Sequence, residues 1–408
     1  MRKRLLLINV ALNWGSTGKI VEGVGRLAAS VGWEVYVAHG ARYKTTSALN
    51  DYQISTKASE ITHFIESALS DRQGLGSRKD TKRLLKVIDS IEPDIVHIHN
   101  IHGCFINYPI LFTYLKEKKI PIVWTLHDCW AFTGHCVYFE RVSCNKWKTE
   151  CFDCPQLKEF PSSYLLDGSR RNYLLKKKLF ASIEELQITT VSLWLMGIVK
   201  ESFLSKVPVT VVPNGIKTDV FKPVSRFKNG IRGLLFENKK ILLGVATGFG
   251  ERKGIKDYVH LAERLPSIYQ IVLVGVMESD KKVLSNKIIS LDKTEGVDQL
   301  IAFYSNADVL LSLSYEETFG MTIIEAMACG TPAIVYDNTA QPELITEETG
   351  KVVPTGDIES LVKAIEEVCS KPKESYVDAC RKHALQYDES LTYQKYLDIY
   401  EAVINNSK

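Results

Sequence analysis

Short runs of β-branched and aliphatic residues alternate with longer amphipathic stretches along nearly the whole chain. In the first half Leu5–Val10, Glu34–His39, Asp94–His99, Ile122–His127, Ile188–Ser192 and Val209–Val212 read as strands. Their near-continuous apolar character predicts parallel strands covered on both faces. Thr17–Val31, Lys79–Ile91, Tyr108–Lys119 and Arg170–Glu184 carry helical spacing between them. The pattern then restarts with strands at Ile241–Thr247, Ile271–Gly275, Ile288–Leu291, Val309–Ser314 and Ala333–Tyr336. Helices are expected there at Ile255–Leu265, Val297–Asn306, Met321–Cys329 and Ile358–Cys369. This alternation predicts an α/β protein of two Rossmann-like, doubly wound domains. The join falls near Val212-Pro-Asn-Gly215, a turn signal at a strand end. The expected division is 1–208 and 209–389, with a last helix over Leu391–Asn405 (390–408) returning to the first domain. Two such sheets in tandem predict a ligand cleft at their strand C-terminal ends.

Composition narrows the class. The 408 residues are 45% hydrophobic and 24% charged, which excludes a disordered or fibrous chain. A formal charge of +3 speaks against a dedicated nucleic-acid binder. The sum hides an asymmetry: residues 1–200 hold 27 Lys and Arg against 19 Asp and Glu, whereas 201–408 hold 24 against 29. A basic first half fits phosphate groups or an anionic membrane surface, or simply solvated helix faces. Its basic clusters are Arg78-Lys79, Lys82-Arg83 and Lys86, then Lys116 with Lys118-Lys119, then Lys176-Lys177-Lys178. The start, Met1 to Val10, resembles a signal peptide, but its apolar run is short and no small-residue cleavage site follows. No stretch approaches the roughly 18 apolar residues of a spanning helix. Nine cysteines in a chain this long are expected to be reduced, and the expected location is cytoplasmic, with the inner membrane face as a peripheral site.

Two segments carry candidate chemistry. From Ser314 the chain runs through Glu317 and Phe319-Gly320-Met321 into a helix that holds Glu325. A helix N-terminus behind a glycine is a ready anion site, and a carboxylate one turn in can accept hydroxyl hydrogen bonds. Two carboxylates astride an anion site suit a sugar nucleotide; a solvated loop glutamate and a helix-dipole glutamate are the plainer alternative. Directly after the second domain's first strand, Ala246 to Ile255 carries glycines at 248, 250 and 254 with Arg252-Lys253. That is where doubly wound sheets hold phosphates.

Glu317-x7-Glu325 followed by Ala-Met-Ala-Cys-Gly-x-Pro, with Arg252-Lys253-Gly254 upstream and Pro213-Asn-Gly-Ile at the join, resembles the retaining glycosyltransferases of family 4. The resemblance implies the GT-B fold, with an acceptor-side first domain and a second domain for the nucleotide sugar. It implies that Lys253 and a nearby arginine neutralise the donor diphosphate and that Glu325 binds the ribose. It further implies that the Phe319-Gly320-Met321 backbone contacts sugar and phosphate, and that Glu317 contacts the transferred sugar. His127, in Trp124-Thr-Leu-His-Asp128, matches a histidine that bonds the sugar near the reacting centre. One departure stands out: Thr247 sits where the family often has an arginine, so Arg252 is the candidate substitute. The implied activity is transfer of a sugar from a nucleotide-diphosphate sugar to a glycan or lipid-linked saccharide. No Asp-x-Asp occurs, in keeping with catalysis that needs no metal. Similar enzymes build bacterial surface polysaccharides. A sugar-nucleotide epimerase of the same architecture and a non-catalytic sugar-nucleotide-binding regulator are the alternatives.

Three further motifs need a reading. Asn13-Trp-Gly-Ser-Thr-Gly-Lys-Ile20 lacks the first glycine and the final Ser/Thr of a P-loop, which argues against a nucleoside triphosphatase. Gly15 and Gly18 are then candidates for a loop facing donor or acceptor, or for a strand–helix turn capped by Ser16 or Thr17. Cys136, Cys144, Cys151 and Cys154 have spacing that suits a structural zinc, two disulfides or free thiols. His97, His99 and His102 are a poor metal set; one is expected in the core or lining a cleft, with Asn100–Asn107 as the candidate acceptor contact.

Overall fold

A computed structural model describes residues 2–225 and 239–406. The chain divides into two compact units, Met1–Pro213 with Thr392–Lys408, and Asn214–Leu391.

Unit 1 is built on seven strands: β1 (Arg4–Leu12), β2 (Glu34–Lys44), β3 (Asn50–Gln53), β4 (Ile95–Ile98), β5 (Ile122–Leu126), β6 (Leu186–Thr190) and β7 (Val209–Val211). They pair in the order β3-β2-β1-β4-β5-β6-β7, every ladder parallel. Helices α1 (Gly15–Ser30), α2 (Lys57–Ser70), α3 (Arg78–Ile91), α4 (Tyr108–Glu117), α5 (Ser169–Phe180) and α6 (Leu193–Glu201) connect them. The apolar strands are apolar because both faces are covered: Leu5, Leu7, Ile95 and Val123 are buried in one cluster with Val21, Val24 and Ala28 of α1. Side-chain caps fix several helix starts. Thr56 accepts from Ser59 N at 3.1 Å before α2, and Asn107 from Ile110 N at 3.1 Å before α4. Between β5 and α5 lies an irregular stretch held by single 3₁₀ turns around Trp147, which stacks on Phe139 with centroids 4.8 Å apart.

Unit 2 repeats the plan with β8 (Lys240–Val245), β9 (Tyr269–Val274), β10 (Ile288–Leu291), β11 (Val309–Ser312), β12 (Ala333–Tyr336) and β13 (Gly350–Val353). Their order is β10-β9-β8-β11-β12-β13, again all parallel. Its helices are α7 (Ile255–Arg264), α8 (Glu278–Lys281), α9 (Val297–Asn306), α10 (Met321–Ala328), α11 (Ile358–Ser370) and α12 (Glu374–Ala384). The final helix α13 (Glu389–Asn406) starts in unit 2 and ends in unit 1. There Tyr393, Tyr396, Leu397, Tyr400 and Ile404 join the core under β1 and β4.

Elements that the apolar pattern did not announce are β3, β13, α2, α6, α8 and α12. The edge strand β3, Asn-Asp-Tyr-Gln, is polar because its outer side has no strand to face.

Candidate active site

In unit 2 the strand order reverses between β8 and β11, and the loops that leave these two strands flank that point. The first loop, 246–254, is braced by Asp280, whose carboxylate accepts the N–H of Phe249 at 2.8 Å and of Met277 at 3.0 Å. Gly254 closes it. A Cβ there, at φ +71°, would lie 2.1 Å from the Leu313 carbonyl oxygen, so no other residue lets this loop lie on the end of β11. The loops are then tied by backbone and side chain: Tyr315 N donates to Arg252 O at 2.9 Å, and Arg252 Nη1 donates to Glu316 O at 2.9 Å.

The outcome is an ion pair between Lys253 Nζ and Glu317 Oε1. Ser314 Oγ also donates to that oxygen at 3.1 Å, and Glu317 N donates to Thr339 Oγ1 at 2.9 Å. Burial alone would raise the Glu317 pKa, but the Lys253 and Arg252 cations outweigh it and hold it lowered. Glu317 is therefore a carboxylate at neutral pH.

Beyond it Gly320, at φ +109°, turns the chain into α10, where a Cβ would stand 2.8 Å from Ile323 Cδ1. No side chain caps this helix; Ile323 N donates to Gly320 O at 3.0 Å, and the N–H groups of Met321 and Thr322 ahead of it stand at an N-terminus suited to an anion. The Phe319 ring is buried, 5.7 Å from that of Tyr387, which leaves its backbone for a ligand; Met321 is partly exposed. Glu325 stands one turn into α10, and its Oε2 accepts from Tyr304 OH at 2.8 Å. Burial, and then the nearby carboxylate, push the Tyr304 pKa far up, so this phenol stays a donor. Lys253, Arg252, Glu317, Phe319, Gly320, Met321 and Glu325 thus share one edge of one sheet.

Unit 1 presents a different chemistry at the ends of β4 and β5. His99 Nδ1 and His127 Nε2 lie 3.0 Å apart, and their rings stack with centroids 5.3 Å apart. His102 Nε2 meets Asp128 Oδ2 at 2.6 Å, and Asp128 Oδ1 accepts Trp130 N at 2.9 Å. These groups, with Asn100 and Ile101, line a small pocket. Burial pulls His127 down to about 4 against the opposing pull of Asp128, and holds His99 and His97 well below the usual histidine range. Asp128 is lowered: burial would raise it, but His102 wins. At neutral pH His99 and His127 are therefore a neutral, hydrogen-bonded pair. His97 points from the same side of β4 into the core, bonded to Tyr400 OH at 2.5 Å and Thr125 Oγ1 at 2.7 Å. Of 100–107, Asn100, Ile101 and His102 reach the pocket, whereas Asn107 serves as a helix cap.

Several expectations need correction. Neither Ser16 nor Thr17 caps α1; its N-cap is Trp14, without a side-chain bond, because the helix starts at Gly15 itself. Gly15 is exposed there, whereas Gly18 is buried and a Cβ would sit 3.3 Å from Ala11 Cβ, so it sets the packing of α1 on β1. Lys176 is not part of a basic surface. It is buried, its Nζ donating to Trp130 O at 2.6 Å and Thr133 O at 3.1 Å over the Trp130 ring, and burial lowers its pKa to about 7. All nine cysteines are free thiols. Cys136 and Cys154 are hydrogen-bonded to each other, and Cys151 Sγ accepts Gly134 N at 3.3 Å. Yet among the described residues no group of three His, Cys, Asp or Glu side chains is placed to hold a metal ion. Among the same residues no helix is long and apolar enough to cross a membrane. Sequence reasoning missed His99 as the partner of His127, and Tyr304 as the holder of Glu325. Only the alternation of His97 and His99 along β4 hinted at the first.

Comparison with known proteins agrees with this layout. Residues 20–220 match the model of Glycosyltransferase Family 4, and residues 226–385 that of Glycosyl transferases group 1. "Putative glycosyltransferase EpsD" of Bacillus subtilis (strain 168) is 25% identical over 92% of this chain and 91% of its own. The N,N'-diacetylbacillosaminyl-diphospho-undecaprenol alpha-1,3-N-acetylgalactosaminyltransferase of Campylobacter jejuni is 26% identical over 43% of this chain and 48% of its own. Among solved structures, sucrose-phosphate synthase from Thermosynechococcus elongatus superposes with a TM-score of 0.76 at 17% identity, covering 99% of this chain and 100% of that one. Two all-parallel Rossmann-like sheets, the two matched models and these neighbours place the chain among the glycosyltransferases of the GT-B fold.

Proposed function

We propose that this glycosyltransferase takes its sugar from a nucleotide-diphosphate donor held by unit 2 and passes it, with retention at the anomeric carbon, to a glycan or lipid-linked saccharide. The observation that carries the reading is the Lys253–Glu317 pair beside the uncapped α10. Breaking the anomeric C–O bond puts negative charge on the departing diphosphate and positive charge on the sugar ring. Lys253, Arg252 and the α10 N–H groups are positioned to stabilise the first, and the ionised Glu317 lies where it can meet the sugar. Glu325, oriented by Tyr304, takes the ribose hydroxyls.

His127 is neutral and hydrogen-bonded to His99, so its part is to hold a sugar hydroxyl by hydrogen bonding rather than to supply a charge. In this reading the leaving phosphate oxygen deprotonates the acceptor on the face it departs from, and no dedicated general base is required. The Campylobacter relative, whose name specifies a diphospho-undecaprenol-linked sugar, favours a lipid-linked acceptor. Such an acceptor places the enzyme at the cytoplasmic face of a membrane, in the building of a surface polysaccharide. An epimerase would need acid and base groups at sugar carbon 2, for which the unit 2 edge offers only carboxylates already engaged by Lys253 and Tyr304.

The test is incubation with a panel of nucleotide sugars and a lipid extract as acceptor. Released nucleoside diphosphate with an elongated acceptor whose new linkage keeps the donor's anomeric configuration by NMR is the expected result. An isomerised nucleotide sugar, or an inverted linkage, overturns it.

A further inference from the structure

Helix α2 is inside out. Its buried side is polar: Glu60 accepts from Ala41 N and Ser55 Oγ, His63 accepts Gly76 N at 2.9 Å, and Ser67 donates to Gln73 Oε1 at 2.8 Å. Its apolar stripe, Ile61, Phe64, Ile65 and Leu69, faces water. The stripe continues onto a neighbouring loop, because Tyr164 N donates to Ala68 O at 2.7 Å and Leu166 N to Leu69 O at 3.1 Å. That loop exposes Phe160, Tyr164, Leu165 and Leu166, so eight large apolar side chains, each 46–71% exposed, form one surface. A folded chain leaves so large an apolar patch in water only where something covers it.

The charges around it identify the cover. Four nearby carboxylates are neutralised or engaged: Glu66 by Arg72, Glu159 by Arg141, Asp71 by His135, and Asp167 by the N–H groups of Cys154 and Ser169. The cations are not. Among the described residues Arg171 binds only the carbonyls of Ser70 and Asp71 at the end of α2 and the Asn172 side chain. Lys57 and Lys158 are exposed with no carboxylate partner among the described residues. Helix α3, tied to α2 through the 2.9 Å His63–Ser77 bond, adds Arg78, Lys79, Lys82 and Lys86, exposed in the same condition. A second copy would set one cationic rim against another, which opposes self-association. An anionic bilayer satisfies both the apolar centre and the cationic border.

We propose that the α2 stripe and the 160–166 loop insert into the headgroup region of an anionic phospholipid bilayer. The patch abuts the histidine pocket, where the Phe160 and His102 rings meet edge-on at 5.7 Å, so docking would bring a lipid-borne acceptor to His127. Only this consequence rests on the transfer reading; docking itself does not.

The experiment therefore uses neither donor nor acceptor. The full chain is sedimented with vesicles of phosphatidylglycerol and phosphatidylcholine, and with phosphatidylcholine alone. Binding to the anionic vesicles, weakened by salt, is expected. Ile65→Ser with Leu165→Ser should lower partitioning at least about tenfold, since both side chains lose their apolar burial in lipid, with an unchanged melting temperature. Lys79→Glu with Lys82→Glu should lower it on anionic vesicles through charge alone. A Leu165→Trp probe should shift its emission to the blue on the same vesicles. Wild-type protein that stays in the supernatant, a serine variant that binds as well as wild type, or a probe that does not shift overturns the proposal. So does a dimer by light scattering that the serine pair disperses while vesicles are ignored, since the patch then belongs to a second copy.

Discussion

The two units repeat one topology and put opposite chemistry at the same place. At the strand ends of unit 2 stand full charges, Lys253 against Glu317, with Arg252 behind them. At the strand ends of unit 1 stand two imidazoles kept neutral by burial, His99 and His127, with the Asp128 carboxylate held by His102. A shared strand order therefore does not dictate what a site binds. Unit 2 presents fixed charge. Unit 1 presents neutral donors and acceptors, and a cation buried among them would lose its hydration at a cost.

The contrast breaks most sharply at Lys253. Lys253→Ala should lower kcat by about a hundred- to a thousandfold, the cost of one transition-state donor, measured as nucleoside diphosphate release. Unchanged turnover would mean that unit 2 absorbs the charge elsewhere. Gly254→Ala comes next. Its Cβ must displace the Leu313 carbonyl, so the loop carrying Lys253 shifts, and donor affinity by calorimetry should fall about tenfold or more.

The neutral half is probed by pH. The folded pKa of His127 lies below its unfolded value, so the unfolded chain binds the extra proton as pH falls through about 6.5 towards 4. Stability should be greater at pH 7 than at pH 5, by about 2 kcal/mol from His127 alone, with His97 and His99 adding in the same direction. His135, raised by Asp71 against its own burial, opposes them: its contribution is present at low pH and lost as pH rises through its folded value. Urea unfolding at the two pH values measures the balance; a chain more stable at pH 5 would refute the neutral pair. The smallest effect is expected from Tyr304→Phe. It removes one hydrogen bond to Glu325, worth about 1 kcal/mol, so KM for the donor should rise about fivefold with kcat nearly intact.

What could be read from the chain follows from where each signal resides. The unit 2 site lies in two contiguous loops, and glycines, cations and carboxylates at fixed spacing survive as a motif. The His99–His127 pair is a product of register: β4 and β5 pair Val96 with Ile122 and Ile98 with Trp124, and the residues just beyond them meet only once that ladder exists. Tyr304 reaches Glu325 across 21 positions from a different helix, with no local pattern to announce it. Helix α2 escaped notice in another way. An apolar stripe on a helix predicts a buried face, and the unburied face of α2 is intelligible only when its other side is seen holding Glu60 and His63. Buried strands, by contrast, were plain, since parallel ladders with both faces covered leave little freedom in residue type.

The last helix has a consequence for the order in which the protein is made. Tyr400 closes the unit 1 core on His97, 303 positions earlier, and Lys3 pairs with Glu401. The segment 214–391, by contrast, is continuous. During synthesis unit 2 can therefore finish while unit 1, begun first, waits for the final turns to clear the ribosome. A nascent chain stalled before Tyr393 would carry a completed unit 2 and an open-floored unit 1, so quality control of this enzyme falls on its first-made portion.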